Sequence, residues 1–430
     1  MEKPSERGVG RVHYIPHHAV IRTDKSTTKL RVLYDASAKS DGVALNDCLY
    51  TGPPLAENIF DVLLRFCVNQ VALTGDVERA FLMVGMTEED RDMLRFLWVD
   101  DVDNLSPEIV VLRFTRVVFR VSSSPFLLNA TIKHHIEQYK EADPEFVEKF
   151  LCSIYVDDLS SGASEVDMAY ELYLRSKLRL GEQGFNLRKF VSNCPELTKR
   201  IQCNETRKSN TDASSVEPGN AQSSEALLER NVASEEDETW AKGMLGGIQE
   251  TSSLEQKVLG VCWNPLNDKF IFDLTEIANY ASDLQPTRRN VVSVAAKFYD
   301  PFGLLSPIII EFNLFFQELC KMKIGWDDPL NGNLLKTWHK LLNGLDGVAA
   351  LWLPRCYFQG IQDKVVSCSL HGFVDASSKA YAVVIYLHMT TTVGGYVKLV
   401  APKSRVAPVK ELTIPRLGTS LGTRKTYHTC

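Results

Sequence analysis

The sequence contains no C-x-x-C pair, although it has ten cysteines, and that absence removes the spacing on which a zinc site or a disulfide framework would rest. Cys48, Cys67, Cys152, Cys262 and Cys356 are scattered through apolar surroundings, so buried free thiols are expected. No uncharged apolar run reaches the ~18 residues of a membrane span, and "MEKPSERGVG" has neither the apolar core nor the small-residue cleavage pattern of a signal peptide. The chain is therefore expected inside the cell, away from membranes. No period of about 20 to 50 residues repeats, which argues against solenoids and propellers. A net charge of -6 argues mildly against wholesale nucleic-acid binding, but says nothing about a local basic groove.

What is present is ordinary globular composition: 430 residues, 44% hydrophobic and 24% charged, enough for roughly two to four domains. One stretch differs. From Asn204 to Glu238 the chain is rich in Ser, Asn, Asp and Glu and too poor in apolar residues to offset the entropy of ordering, so a disordered polar insert is expected at 204–240. A second break falls near "NDKFIFDLTEIANYASDLQPTRRN", after which a helical, aromatic-rich stretch runs to about Tyr357. The final piece opens at "CSLHGFVDASSKAYAVVIYL", which alternates as a strand, turns, and alternates again.

Two adjacent aspartates stand out in "CSIYVDDLSSGA". "CSIYV" has the character of a buried strand and "DDLSSG" that of a turn, which puts Asp157 and Asp158 at a hairpin tip. Ser164 and Asp167 form an S-x-x-D capping box opening a helix with Val166, Tyr170, Leu174 and Leu178 on one face. Aspartate is a common turn residue, and a solvated turn is the plain alternative. Against a core, however, two neighbouring carboxylates raise each other's pKa unless a cation sits between them. Asp76 ends another apolar run, in "VALTGDVERAFLMV", and supplies a third carboxylate. Hard oxygen ligands of this kind suit Mg²⁺. Further along, Ser124 is a candidate cap and Pro125 suits a first helical position, with Leu128, Ile132, Ile136 and Tyr139 on one face.

"YVDD" preceded by "D-V-x-x-A-F" resembles the catalytic motifs of reverse transcriptases. In order, "HHAVIRTDKSTTKLRVLYDASAKS", "LNDCLYTGPPL", "VSSSPFLLNATIKHHI", "GFNLRKFVSN", "KVLGVCWN", "AAKFYDPFGLLSPI", "GWDDPL", "PRCYF", "GFVDASSKAYAVVIYL" and "KSRVAP...LTIPRL" resemble the pol region of BEL/Pao-type LTR retrotransposons. The resemblance covers nearly the whole chain apart from the insert. It implies an α/β right-hand polymerase fold: fingers at 1–70, palm at 71–203, the end of the palm with a primer-grip hairpin at 241–285, a helical thumb and connection at 286–360, and a truncated RNase H-like piece at 361–430. It implies an RNA-directed DNA polymerase that adds dNTPs to a primer 3′-end on an RNA or DNA template, in the cytoplasm or in retroelement particles.

Carried onto this sequence, Asp76, Asp157 and Asp158 are the catalytic carboxylates for two Mg²⁺ or Mn²⁺ ions. Phe81 is the aromatic that excludes a 2′-hydroxyl, with ordinary core packing as the alternative. Lys29 and Arg31 grip the triphosphate, with Lys25 competing with Lys29. Lys189 lies near the leaving pyrophosphate, Leu259, Gly260 and Trp263 position the primer, and Asp375 is the first RNase H carboxylate. The sequence departs from the family twice. Arg120 stands where the family has glycine, and Gly418 stands where it has the next RNase H glutamate, so RNase H activity is not expected. A second reading is a catalytically impaired remnant that only binds nucleic acid. A third, an aspartic peptidase, lacks its Asp-Thr-Gly or Asp-Ser-Gly motif.

Overall fold

In a computed structural model, residues 1–4, 11–21, 30–101, 106–213, 255–346 and 350–409 are described. The chain divides into two compact units: Met1–Asn58 with Val71–Met244, and Ile59–Gln70 with Leu245–Cys430. Both mix helices and antiparallel sheets, in line with the expected α/β class.

The first unit is built on a four-stranded antiparallel sheet ordered β6-β7-β3-β8, with β3 Val71–Val77, β6 Ile154–Tyr155, β7 Asp158–Ala163 and β8 Leu187–Ser192. Every residue of β3 is buried, the apolar Val71, Ala72 and Leu73 and the polar Thr74 and Asp76 alike, so this central strand is covered on both faces. The helix Ser124–Glu137 packs Leu128, Ile132 and Ile136 into the core with Phe146 and Phe150, as its spacing predicts. Ser124 is not its cap. It lies inside the first turn, where its hydroxyl donates to the Val118 carbonyl at 2.7 Å.

Two other local expectations change. The "LSSGA" run is strand β7 rather than a turn, its small residues buried beside β3 and the Ser153 hydroxyl donating to that of Ser161 at 2.9 Å. The helix Val166–Gly181 has no side-chain cap, because Ser164 turns to Met168 and Asp167 pairs with Arg200. It buries Ala169, Leu172, Tyr173, Ser176 and Leu180, leaving Leu174 and Leu178 exposed. Of the predicted face, Val166 and Tyr170 pack against the core beside Ala169 and Tyr173, whereas Leu174 and Leu178 turn outward.

Around this sheet lie two hairpins, β1 His17–Ile21 with β2 Leu30–Tyr34, and β4 Arg95–Val99 with β5 Ile109–Arg113. Glu2 bridges to Arg113 through reciprocal backbone bonds of 3.0 and 2.9 Å. Its carboxylate also meets Arg91 and Arg113, while Asp92 accepts from Arg95 and Arg113. Burial pushes both carboxyls up, but the arginine hydrogen bonds outweigh it and hold Glu2 and Asp92 below the usual carboxylate range.

The polar insert starts later than expected. The helix Pro195–Ala213 continues through the first ten of its residues, with Glu205 paired to Lys177 and Asn204 bonded to Tyr173. Residues 214–254 lie outside those described.

The second unit pairs β9 Gln256–Val258, β10 Val261–Asn264, β11 Lys269–Asp273 and β12 Ala350–Pro354 into an antiparallel sheet. The helix Ile59–Val68, expected with the fingers, belongs here, and so do β9–β11, expected to close the palm. The physical reason is Arg355. Fully buried after β12, its guanidinium forks onto the Asp268 carboxylate and donates to the carbonyls of Phe66, Asn69 and Gln70. It thus satisfies the carbonyls that the end of the helix leaves open. Cys67 and Cys356 are buried here, and burial pushes the Cys67 thiol up to about 12. The expectation of buried thiols fails for Cys48, Cys203 and Cys368, which are exposed.

Helices Thr275–Ser282, Arg288–Ala295, Ser306–Lys321 and Gly332–Asp346 follow β11. Asp300 accepts from the backbone N–H groups of Gly303, Leu304 and Leu305 and so organises the entry to Ser306–Lys321. The last sheet is three twelve-residue antiparallel strands, β13 Val365–Ala376, β14 Ala380–Thr391 and β15 Gly395–Val406. It docks through β15: Gln317 donates to the Ala407 carbonyl at 2.6 Å, and Gly303, with φ +84°, passes so close to Pro402 that a Cβ would stand 1.9 Å from its carbonyl oxygen. Among the described residues, no helix is long and apolar enough to cross a membrane.

Candidate active site

The aspartates meet where β3 ends. β6 and β7 join through a two-residue turn, Val156–Asp157, with Tyr155 opposite Asp158. Val156 takes φ +58°, a left-handed backbone that a β-branched residue rarely adopts, at the first central turn position where glycine is usual. Its side chain is buried in the core, and that packing holds the strained conformation. The Asp157 carbonyl accepts from Val77 N–H at 2.9 Å, which locks the tip to the end of β3. In the β3–β7 ladder Asp76 stands directly opposite Asp158. Asp76 is 6% exposed and Asp157 3%, so the plain solvated-turn alternative does not describe them.

Cations come from β8. Lys189 Nζ lies 3.6 Å and Arg188 Nε 3.8 Å from the same Asp76 Oδ2. Adjacent strand residues ordinarily point to opposite faces. Here the β3–β8 register steps from Thr74↔Val191 to Asp76↔Arg188, so β8 carries an extra residue, and Lys189 has φ +53°. This is a β-bulge, which lets two neighbouring side chains address one partner residue. Arg188 Nη1 also pairs with Glu78 Oε1 at 2.9 Å, while Glu78 Oε2 accepts from Asn186 Nδ2 at 2.7 Å. Among the described residues no three His, Cys, Asp or Glu side chains are grouped to hold one ion. The three expected carboxylates therefore form a facing pair, Asp76 and Asp158, with Asp157 beside it, rather than a closed cluster.

The remaining expected residues disperse. Phe81 sits on the short helix Ala80–Met83, buried and edge-on to Phe119 at 5.5 Å, within the core. Lys29 and its competitor Lys25 lie outside the described residues, and Arg31 pairs with Val20 in the β1–β2 ladder. Leu259 and Gly260 form the β9–β10 turn with φ +46° and +86°, and Trp263 is buried, its indole N–H donating to Asp268 at 3.0 Å. These three belong to the second unit. Asp375 is on β13, opposite Ala382, and Gly418 lies outside the described residues. Arg120 is exposed with φ +69°, its carbonyl accepting from Asn46 Nδ2 at 3.1 Å. Glu78, Arg188 and Asn186 were missed by sequence reasoning. The available signal was Glu78 two positions after Asp76, the spacing of one strand face.

The mixed α/β fold resembles that of a reverse-transcriptase structure. The foamy viral protease-reverse transcriptase in complex with an RNA/DNA hybrid is similar over 95% of this chain and 42% of its own, with a TM-score of 0.50 at 13% identity. The same viral protein, as its dRH form in complex with double-stranded DNA, is similar over 94% and 54%, with a TM-score of 0.50 at 15% identity. The chain thus spans about half of these proteins or less. Residues 287–426 match the family described as the Pao retrotransposon-like RNaseH-like domain, so the chain is consistent with a Pao-type pol fragment. That match begins at the helices expected as thumb and connection, well before 361. No curated protein matches the chain.

Proposed function

We propose that this chain carries the polymerase of a Pao-type retrotransposon: it binds a primed RNA or DNA template and adds dNTPs to the primer 3′-end. The observation that carries the proposal is the Asp76–Asp158 pair, buried Asp76 facing half-buried Asp158 across β3 and β7, beside the strained Val156–Asp157 turn. The viral neighbours were each captured with a nucleic-acid duplex, which supports a nucleic-acid partner here. In this reading the first unit serves as fingers and palm, and the helices of the second as thumb and connection. Residues 287–426, which include β13–β15 and Asp375, are read as an RNase H-like domain, and Gly418 in place of the family's glutamate argues against nuclease activity there.

The donor set fits a divalent cation. Carboxylate oxygens on adjacent strands are hard ligands, and Mg²⁺ is commonly held by one or two carboxylates while keeping water and phosphate ligands, so a facing pair suffices. Asp76, Asp158 and Asp157 would hold Mg²⁺ or Mn²⁺, which when bound favours the 3′-oxygen as nucleophile and offsets charge on the departing pyrophosphate. Lys189 adds a cation on the same side, and Lys29 and Arg31 are assigned to the triphosphate. Buried Phe81 limits room beside the sugar.

The test is primer extension on an RNA template with Mg²⁺ or Mn²⁺. Wild type is expected to extend and Asp157→Asn to fall by at least about a hundredfold, the usual scale of loss for a group acting in the transition state. Equal extension by both proteins overturns the reading. Arg120 favours the second reading, an impaired copy: a non-glycine residue at φ +69° occupies the family's glycine position. Under it, only Arg120→Gly extends primers.

A further inference from the structure

We propose that Arg188, gripped by Glu78, is a resident counter-ion that a divalent cation displaces from Asp76, so that the Glu78–Arg188 pair sets how tightly the carboxylates take metal. The inference rests on the polymerase reading and gives a part to two residues that the reading leaves idle.

Asp76 and Asp158 face each other on neighbouring strands, and like charges in that position repel. Arg188, together with Lys189 at 3.6 Å from the same oxygen, relieves the repulsion, and Arg188 does so without capturing Asp76. Its Nε stands 3.8 Å from Asp76 Oδ2, beyond hydrogen-bond range, whereas its Nη1 is 2.9 Å from Glu78 Oε1. Glu78 is itself fixed: its other oxygen accepts from Asn186 Nδ2 at 2.7 Å, and its N–H donates to the Asn186 carbonyl at 2.8 Å. The guanidinium is therefore anchored through Nη1 on Glu78, with its longer Nε contact left to Asp76. An arriving dication meets a like charge that already has a second carboxylate to retreat to. Without Glu78, Arg188 would close onto Asp76 and compete with metal. Glu78 and Arg188 are thus positioning residues that act through Asp76.

The test is Mn²⁺ binding, followed by electron paramagnetic resonance on the full chain without nucleic acid or nucleotide, at matched folded fractions. Arg188→Gln is expected to tighten Asp157-dependent binding by about tenfold and Glu78→Gln to weaken it by about tenfold, the scale of outer-sphere effects on metal sites. The double variant should match Arg188→Gln, because Glu78 acts through Arg188. Unchanged or weaker binding by Arg188→Gln, with Asp157 dependence intact, overturns this inference and leaves the polymerase reading standing. Should Arg188→Gln unfold, Glu78→Gln decides alone, and unchanged affinity overturns the inference. Mn²⁺ binding that ignores Asp157→Asn in every background overturns the polymerase reading and the inference with it.

Discussion

Single residues decide much of this structure, and Arg355 decides most. Its five donors meet a carboxylate and three carbonyls in a fully buried setting, and its Cζ lies over the Phe66 ring, 4.9 Å from the centroid. Removing one partner of a buried ion pair costs about 3–5 kcal/mol, because the other charge stays buried unpaired. Arg355→Met should therefore lose stability on that scale in urea unfolding, and Arg355→Lys should lose a large part of it, since an ammonium cannot fork. An Arg355→Lys midpoint equal to wild type would show that charge alone suffices. Arg120 works in the opposite sense. Its φ of +69° costs an L-residue about 1–2 kcal/mol, so Arg120→Gly should raise the melting temperature despite glycine's greater unfolded freedom. A lower melting temperature would mean the arginine side chain makes compensating contacts.

Among the elements, the hairpins show what sequence could and could not disclose. The hairpin tip at Val156–Asp157 was legible because its aspartates are contiguous and the strand before it is apolar. The helix Ser124–Glu137 was legible because Leu128, Ile132 and Ile136 all face one core. β7 was not, since Ser-Ser-Gly has turn composition and only burial between β6 and β3 makes it a strand. The bulge at Lys189 was equally hidden, because it exists only relative to β3. The β4–β5 hairpin offers a pH test. Asp92, held below its ordinary pKa, contributes stability above about pH 4, where the unfolded carboxyl is ionised, and loses it as pH falls through the lower folded value. Stability should decline in that acid range, and Asp92→Asn should flatten the decline. An unchanged slope would place the acid sensitivity elsewhere, with Glu2 the next candidate.

For the whole molecule, chain order and structural order diverge. The chain enters the second unit at Ile59, leaves at Gln70, and returns only at Leu245. No local pattern could announce this, since the Arg355–Asn69 contact spans 286 positions. A fragment of residues 245–430 should accordingly be less stable than the same unit in the full chain, and a peptide of residues 57–70 added in trans should restore part of the loss in thermal unfolding. No response to the peptide would mean the helix is dispensable. On the ribosome the same separation becomes a delay. At about 5–20 residues per second, Asn69 is made roughly 15–60 s before Arg355. Until the chain re-enters the second unit at Leu245, the helix carrying Val62, Leu63, Phe66 and Cys67 waits for the rest of its unit. Trp263, which meets Phe66, is made first, and Arg355 and Tyr357 complete the setting only later. The nascent chain therefore carries a sticky segment near its start for much of its synthesis, and a chaperone that covers it early should raise the yield of folded protein more than one acting after release.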